Sequence, residues 1–103
     1  MKHNQFKAII NKMLKAKCEQ KGLTLSGIDI TNNQKYLYVY DAQWNCVLAI
    51  SLWLNDNRIH LSGTTNMEKP FVISNRPYDV SCSYTEFNKV NELLEQMFSS
   101  LKI

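Results

Sequence analysis

The chain of 103 residues is short enough to form one domain, residues 1–103, and long enough to bury a core without disulfide bonds. Its 45% apolar residues, 20% charged residues, three glycines and two prolines are typical of an ordered globular protein and exclude a disordered or collagen-like chain. The net charge of +3 is unevenly distributed: residues 1–22 hold six lysines and one glutamate, a charge of +5, so residues 23–103 carry −2.

The three cysteines, Cys18, Cys46 and Cys82, are widely separated and form no C-x-x-C pair. This spacing argues against a disulfide framework and against a zinc site, and it suits a reducing compartment. The amino-terminal residues contain no apolar signal segment, and no apolar run approaches the roughly 18 residues of a membrane-spanning helix. The sequence therefore predicts a cytoplasmic protein that is neither exported nor inserted in a membrane.

Residues 4–21 are predicted to form an amphipathic helix, which Asn4 can cap at its start and Gly22 at its end. One face of a 3.6-residue period collects the apolar side chains Phe6, Ile9, Ile10, Met13 and Leu14. Lys17 falls near this apolar face, where its aliphatic stem can pack on the core while the ammonium group reaches solvent.

Alternating apolar residues and turn signals predict about five or six short strands after this helix. They lie within residues 23–31, 36–40, 46–54, 59–61, 71–74 and 78–82. The polar residues 62–70 are predicted to form a solvent-exposed loop. Because nearly every position from 46 to 54 is apolar, that strand is expected to be central, with both faces at least partly covered.

Residues 83–101 are predicted to form a second amphipathic helix that starts with a capping box from Ser83 to Glu86. Its apolar stripe consists of Phe87, Val90, Leu94, Met97 and Leu101. The spacing also resembles a coiled coil, but two heptads are too few to hold a dimer, so a core role is favoured.

The order of helix, strands and helix, without long crossovers, predicts an α+β fold. We expect two layers, in which the N- and C-terminal amphipathic helices pack on one face of a mostly antiparallel sheet of about five or six short strands.

Residues 36–54 contain five of the eleven aromatic side chains. Strand alternation turns Leu37 and Val39 toward the helices, so Tyr36, Tyr38 and Tyr40 fall on the opposite face of the sheet. Trp53 and His60 are expected to join them there.

No third layer is left in the sequence to cover this row of aromatic side chains. Either a curved sheet wraps over its own aromatics, or the row is a surface for a protein partner or for a second copy in a homodimer. Ordinary cross-strand tyrosine packing is an equally open interpretation. On the partner-binding interpretation, the contact residues are Tyr36, Tyr38, Tyr40, Trp53 and His60.

The lysine-rich first helix supports an alternative, a nucleic-acid-binding accessory protein. Its phosphate-contacting residues would be Lys7, Lys12, Lys15 and Lys21. However, the helix contains no arginine, and a charged outer face is usual for a surface helix. Stacking of RNA bases on the tyrosines is disfavoured by the negative charge of residues 23–103.

Catalytic chemistry has little support in the sequence. His3 and His60 are the only histidines, neither lies in a known motif, and the carboxylates fall where solvated residues are expected. The loop 62–66 lacks the Lys-Ser/Thr ending of a phosphate-binding loop. The sequence predicts no catalytic residues, no metal site and no cofactor, and a cysteine-dependent enzyme is the least favoured reading.

Together these patterns predict a small non-enzymatic binding protein, of adaptor or inhibitor type, that acts through protein–protein contacts of its aromatic sheet face. The many asparagines and lysines suit an AT-rich bacterial or phage source. An inhibitor derived from a phage or mobile element is therefore one concrete version of this hypothesis.

Overall fold

The structure, a computed structural model, describes residues 3–31, 33–55, 57–65 and 77–101. A 3₁₀ turn at Tyr84–Glu86 precedes the last helix. The elements are α1 (His3–Gln20), β1 (Thr24–Thr31), β2 (Gln34–Tyr40), β3 (Cys46–Asn55), β4 (Arg58–Thr64), β5 (Tyr78–Ser83) and α2 (Phe87–Ser99). The predicted strand at 71–74 lies outside the described residues, as does most of the predicted loop at 62–70.

The five described strands form one antiparallel sheet in the order β1-β2-β3-β4-β5. Each strand pairs with the one before it, so the sheet is a simple meander. β3 lies in the middle, between β2 and β4, as its apolar sequence predicts. The predicted α+β fold with an antiparallel sheet and two terminal helices is confirmed.

Both helices cover the same face of the sheet and share one core with it. The inward side chains pair across the strands, with Leu37 opposite Ile50 and Leu52 opposite Leu61. The helical side chains buried against them are Phe6, Ile10, Leu14, Cys18, Val90, Leu94, Met97 and Phe98. Burial of this apolar stripe from each helix is the main source of the fold's stability.

The helices also contact one another at two places. The Phe6 ring stacks on Tyr84 with 4.7 Å between ring centroids, and it meets the edge of Phe87 at 5.0 Å. Lys17 forms an ion pair with Glu95 of α2 while its own side chain is mostly covered. The Lys17 side chain is therefore covered, as expected for a residue near the apolar face, and its charge is paired with Glu95.

Two of the predicted helix ends are present, but the predicted cap at Asn4 is wrong, because α1 already begins at His3. After α1, the Leu23 N–H donates to the Cys18 carbonyl at 2.8 Å, and Gly22 takes a φ of +69°, as in a Schellman motif. Before α2, the Ser83 N–H donates to Glu86 Oε1 at 3.1 Å, which is half of the capping box. A hydrogen bond from Lys89, followed by those from Ser83, lowers the pKa of Glu86 to about 2.

The prediction was wrong for the start of the polar segment after β3. β4 does not end at residue 61 but continues to Thr64, and both Ser62 and Thr64 are buried rather than solvent-exposed. The reason is pairing on both sides, because Ser62 lies between Ser51 of β3 and Asp79 of β5. Neighbouring strands fix the backbone here, although Ser, Gly and Thr give little indication of a buried strand.

α2 approaches the sheet closely at Gly63. A Cβ atom at this position would lie 2.9 Å from Met97 Cε and 3.2 Å from the Ala49 carbonyl oxygen. We therefore expect Gly63→Ala to lower the free energy of unfolding by about 1–3 kcal/mol, measured by urea denaturation. In a Met97→Ala background the same change should cost less. An equal loss in both backgrounds would show that Met97 is not the obstacle.

Candidate functional site

The five residues predicted to bind a partner all lie on the sheet face that points away from the helices. Directly opposed residues of an antiparallel pair project to the same side of a sheet. Tyr38 is opposed to Ala49, and Trp53 to His60. We call this surface the aromatic face, which consists of Tyr36, Tyr38, Tyr40, Trp53 and His60.

Exposure differs strongly across the aromatic face. The side chain of Trp53 is 49% exposed, whereas the three tyrosines are half-buried. Burial, followed by the neighbouring Tyr36, raises the pKa of Tyr38, so its hydroxyl stays protonated. Ala49 and Thr64, on the same face, are buried. The middle of the aromatic face is therefore covered, whereas Trp53 is exposed.

A second exposed tryptophan stands at the end of the tyrosine row, in the loop between β2 and β3. The Asp41 carboxylate accepts hydrogen bonds from the Gln43 and Asn45 N–H groups, both at 2.9 Å. This loop holds Trp44 at a φ of 63° with 71% of the residue exposed. The Trp44 ring lies 6.2 Å from that of Tyr40, between centroids. A bulky residue in the left-handed region is a clear backbone outlier.

Two residues of this surface are not among those predicted from sequence. Trp44 lies in a short polar loop, and the only signal was the presence of a large aromatic residue among turn-forming ones. Ile28 of β1 is 53% exposed and is opposed to Tyr36, so it extends the aromatic face to the sheet edge. The alternation of side chains along β1 assigns its residues to two faces of the sheet, but it does not tell which of these faces is buried.

A shallow depression of about 250 Å³ adjoins Trp53 at the far end of the face. It is lined by Trp53, Asn55, Arg58, His60 and Ser81. The Arg58 Nη2 atom donates to Ser81 Oγ at 3.4 Å, and His60 Nε2 lies 2.6 Å from Asp79 Oδ1. An exposed indole beside an arginine, within a polar rim, is the composition typical of interface hot spots.

The lysines of the alternative hypothesis lie on the other side of the molecule. Lys12 and Lys15 are exposed on α1, Lys21 is exposed just after it, and Lys7 is half-buried. Because α1 packs on the opposite face of the sheet, these lysines and the aromatic face point in different directions. The structure therefore presents two separate surfaces, one basic and one aromatic.

The thiols are poorly suited to nucleophilic chemistry. Burial, followed by the charge of Glu19, raises the pKa of Cys18 to about 11, and burial is also the main cause of the raised pKa of Cys46 and Cys82. A thiolate is the reactive form, so these cysteines are largely unreactive near neutral pH.

Neither metal ligation nor membrane insertion finds support in the described part of the chain. In residues 3–31, 33–55, 57–65 and 77–101, no three His, Cys, Asp or Glu side chains are grouped so as to hold a metal ion. No helix within those ranges has the length and apolar character to cross a bilayer.

Comparison with known proteins finds no matching family model, no matching curated protein and no matching solved structure.

Proposed function

We propose that this protein is a non-enzymatic binding protein, of adaptor or inhibitor type, and that it binds a protein partner through the aromatic face together with Trp44. The observation that carries the proposal is the conformation of Trp44. A large apolar side chain is held in the left-handed region and is 71% exposed.

The left-handed conformation of Trp44 costs free energy, although hydrogen bonds with Asp41 hold the loop. A non-glycine residue in the left-handed region costs on the order of 1–3 kcal/mol. The Trp44 ring makes a tilted contact with the Tyr40 ring, at 6.2 Å between centroids, and 71% of the residue stays exposed. Asparagine or glycine would take the same backbone conformation at lower cost. Contact with a partner would explain why a tryptophan occupies this position.

The composition of the surface favours a protein partner over a nucleic acid. Trp53 and Trp44 offer large contact areas with little loss of rotamer entropy, and Arg58 adds hydrogen-bond donors beside Trp53. Residues 23–103, which contain the whole aromatic face, carry a net charge of −2. That charge disfavours a phosphate backbone at this surface.

The clearest test is Trp44→Asn, which should separate binding from stability. Asparagine tolerates the left-handed region, so the free energy of unfolding should stay the same or rise by up to about 1 kcal/mol. Loss of the indole should abolish capture of the partner. Urea denaturation measures the free energy of unfolding. Affinity capture from nuclease-treated lysate of the source cells, with quantitative mass spectrometry, measures the capture of the partner.

Ile9→Asn is the matched control, because Ile9 is also an exposed apolar residue but lies on α1, away from the aromatic face. It should leave capture unchanged. Full capture by a folded Trp44→Asn variant would refute the role of Trp44.

The exposed lysines of α1 keep nucleic-acid binding as the second candidate function. That candidate requires a gel shift at low salt that weakens steeply as salt increases. It also requires that the double charge reversal Lys12→Glu and Lys15→Glu removes the shift. The aromatic-face proposal requires instead that the double reversal leaves partner capture intact.

A further inference from the structure

Arg58 is an exposed cation at one end of the aromatic face. It lies on β4, directly opposite Asn55 of β3 and Ser83 of β5. Its Nη2 atom donates a hydrogen bond to Ser81 Oγ at the long distance of 3.4 Å. None of the carboxylates in the described ranges forms an ion pair with it. A guanidinium group has five N–H donors, so most of those on Arg58 face solvent.

Two acidic side chains described near this end of the sheet already have partners. Asp79 Oδ1 lies 2.6 Å from His60 Nε2, and Glu86 Oε2 accepts a hydrogen bond from Lys89 at 2.6 Å. Neither carboxylate is left to neutralise Arg58. An unmatched cation on a binding surface favours an anionic group on the partner.

The depression of about 250 Å³ beside Arg58 gives such an anionic group a place to bind. Trp53, which is 49% exposed, lines it together with the polar residues Asn55 and Ser81. Small-molecule sites usually measure roughly 300–1,000 Å³, so this volume suits one side chain of a larger partner better than a free ligand. An adjacent indole also shields an ion pair from water and thereby strengthens it.

We propose that this depression binds the carboxylate of an aspartate or glutamate side chain of the protein partner. The planar guanidinium group of Arg58 donates two parallel N–H bonds to the two carboxylate oxygens, a geometry that lysine cannot provide. The aliphatic part of the acidic side chain lies against Trp53. The inference rests on the proposed binding role of the aromatic face and adds the chemical group that this face recognises.

A phosphorylated residue fits the depression less well than a carboxylate does. A phosphoryl group carries about 1.5–2 negative charges at neutral pH and is usually held by a cluster of arginines. The residues that line the depression include two basic ones, Arg58 and His60, and His60 already lies against Asp79. One free guanidinium group matches the single charge of one carboxylate.

The first test needs no partner. The ¹⁵N-labelled protein is titrated with N-acetyl-glutamate N-methylamide up to about 100 mM at constant ionic strength. The Trp53 indole N–H and the Arg58 amide should shift as the probe is added. The neutral N-acetyl-glutamine N-methylamide should cause shifts at least about 5-fold smaller, because it lacks the charge that Arg58 binds.

Substitutions at Arg58 test the guanidinium group directly. Arg58→Gln should abolish the shifts, and Arg58→Lys, which keeps the charge but not the planar fork, should retain part of them. Lys12→Gln is the matched control, because it removes the same charge from an exposed position on α1 and should leave the shifts unchanged. Circular dichroism should show that all three variants are folded.

The second test uses the partner recovered by wild-type capture. Arg58→Gln should raise its dissociation constant at least about 10-fold. Each aspartate and glutamate of the identified partner is then replaced by its amide. One of these replacements should weaken binding to the wild type but have no further effect on binding to Arg58→Gln, as a double-mutant cycle requires for a direct contact.

Two results of the titration would overturn the proposal: equal responses to the glutamate and glutamine probes, or a response to glutamate that survives Arg58→Gln. A larger response to N-acetyl-phosphoserine N-methylamide would assign the depression to a phosphorylated residue and would also refute it. Partner capture that depends on Trp44 and Trp53 but not on Arg58 would refute this inference and leave the proposed function intact. The expected titration without any captured partner would instead support the carboxylate site and count against the proposed function.

Discussion

Replacing Trp53 with alanine is expected to weaken partner binding by at least about 30-fold, which corresponds to roughly 2 kcal/mol. Trp53 is 49% exposed on the sheet face opposite α1 and α2, and it borders the depression that contains Arg58. Tryptophan and arginine are the residue types in which single side chains most often dominate interface energies. Isothermal titration calorimetry with the partner recovered by wild-type capture gives the ratio of dissociation constants.

Two controls accompany the Trp53 measurement. Ile9→Ala removes an exposed apolar side chain from α1 and should leave the dissociation constant unchanged. Circular dichroism and urea denaturation of Trp53→Ala should show a folded protein that has lost no more than about 1 kcal/mol. A folded Trp53→Ala variant that binds as tightly as the wild type would remove Trp53 from the interface.

Leu52→Ala, one residue earlier on the same strand, should produce the opposite result. Leu52 is buried in the central strand, where it faces Leu61 and the two helices. Truncation leaves a cavity that costs about 2–5 kcal/mol, a large part of the 5–15 kcal/mol by which a typical domain is stable. Urea denaturation, followed by far-ultraviolet circular dichroism, measures the loss.

Comparing the Leu52→Ala and Trp53→Ala variants tests the assignment of the two faces of β3. Leu52→Ala should lower the free energy of unfolding by at least about 1 kcal/mol more than Trp53→Ala does. Equal losses would mean that Trp53 contributes to the core as Leu52 does. The aromatic face would then be a buried surface instead of a binding surface.

The helices and the central strand were predictable because their patterns are local. The apolar stripe of α2, the capping box at Ser83 and the cap at Gly22 depend on residues a few positions apart. The continuous apolar sequence of β3 likewise marks a strand covered on both sides. Assignment of Tyr36, Tyr38, Tyr40, Trp53 and His60 to one face followed from alternation alone.

The length of β4 and the exposure of single side chains were not predictable in the same way. Ser62 becomes a strand residue because β3 and β5 pair with it, and Thr64 because β3 does; this pairing is invisible in a polar sequence. Strand alternation predicts on which side of β1 the Ile28 side chain lies, but it does not show that this side chain is exposed to solvent. Those properties depend on contacts between residues distant in the chain.

The backbone of Trp44 is the most informative feature that sequence reasoning missed. Tryptophan has no preference for the left-handed region, and the hydrogen bonds of Asp41 with Gln43, Trp44 and Asn45 that hold the loop are visible only in the structure. An unfavourable conformation that presents an apolar ring to solvent is easier to explain by function than by folding.

The central claim, that the aromatic face with Trp44 binds a protein partner, is tested most directly by nuclear magnetic resonance of the ¹⁵N-labelled protein. The chain has two tryptophans, Trp44 and Trp53, so its spectrum contains two indole N–H signals. On addition of the partner recovered by wild-type capture, both signals should shift or broaden while the amides of the α1 lysines remain unchanged. Two unaffected indole signals, with changes confined to α1, would contradict the claim.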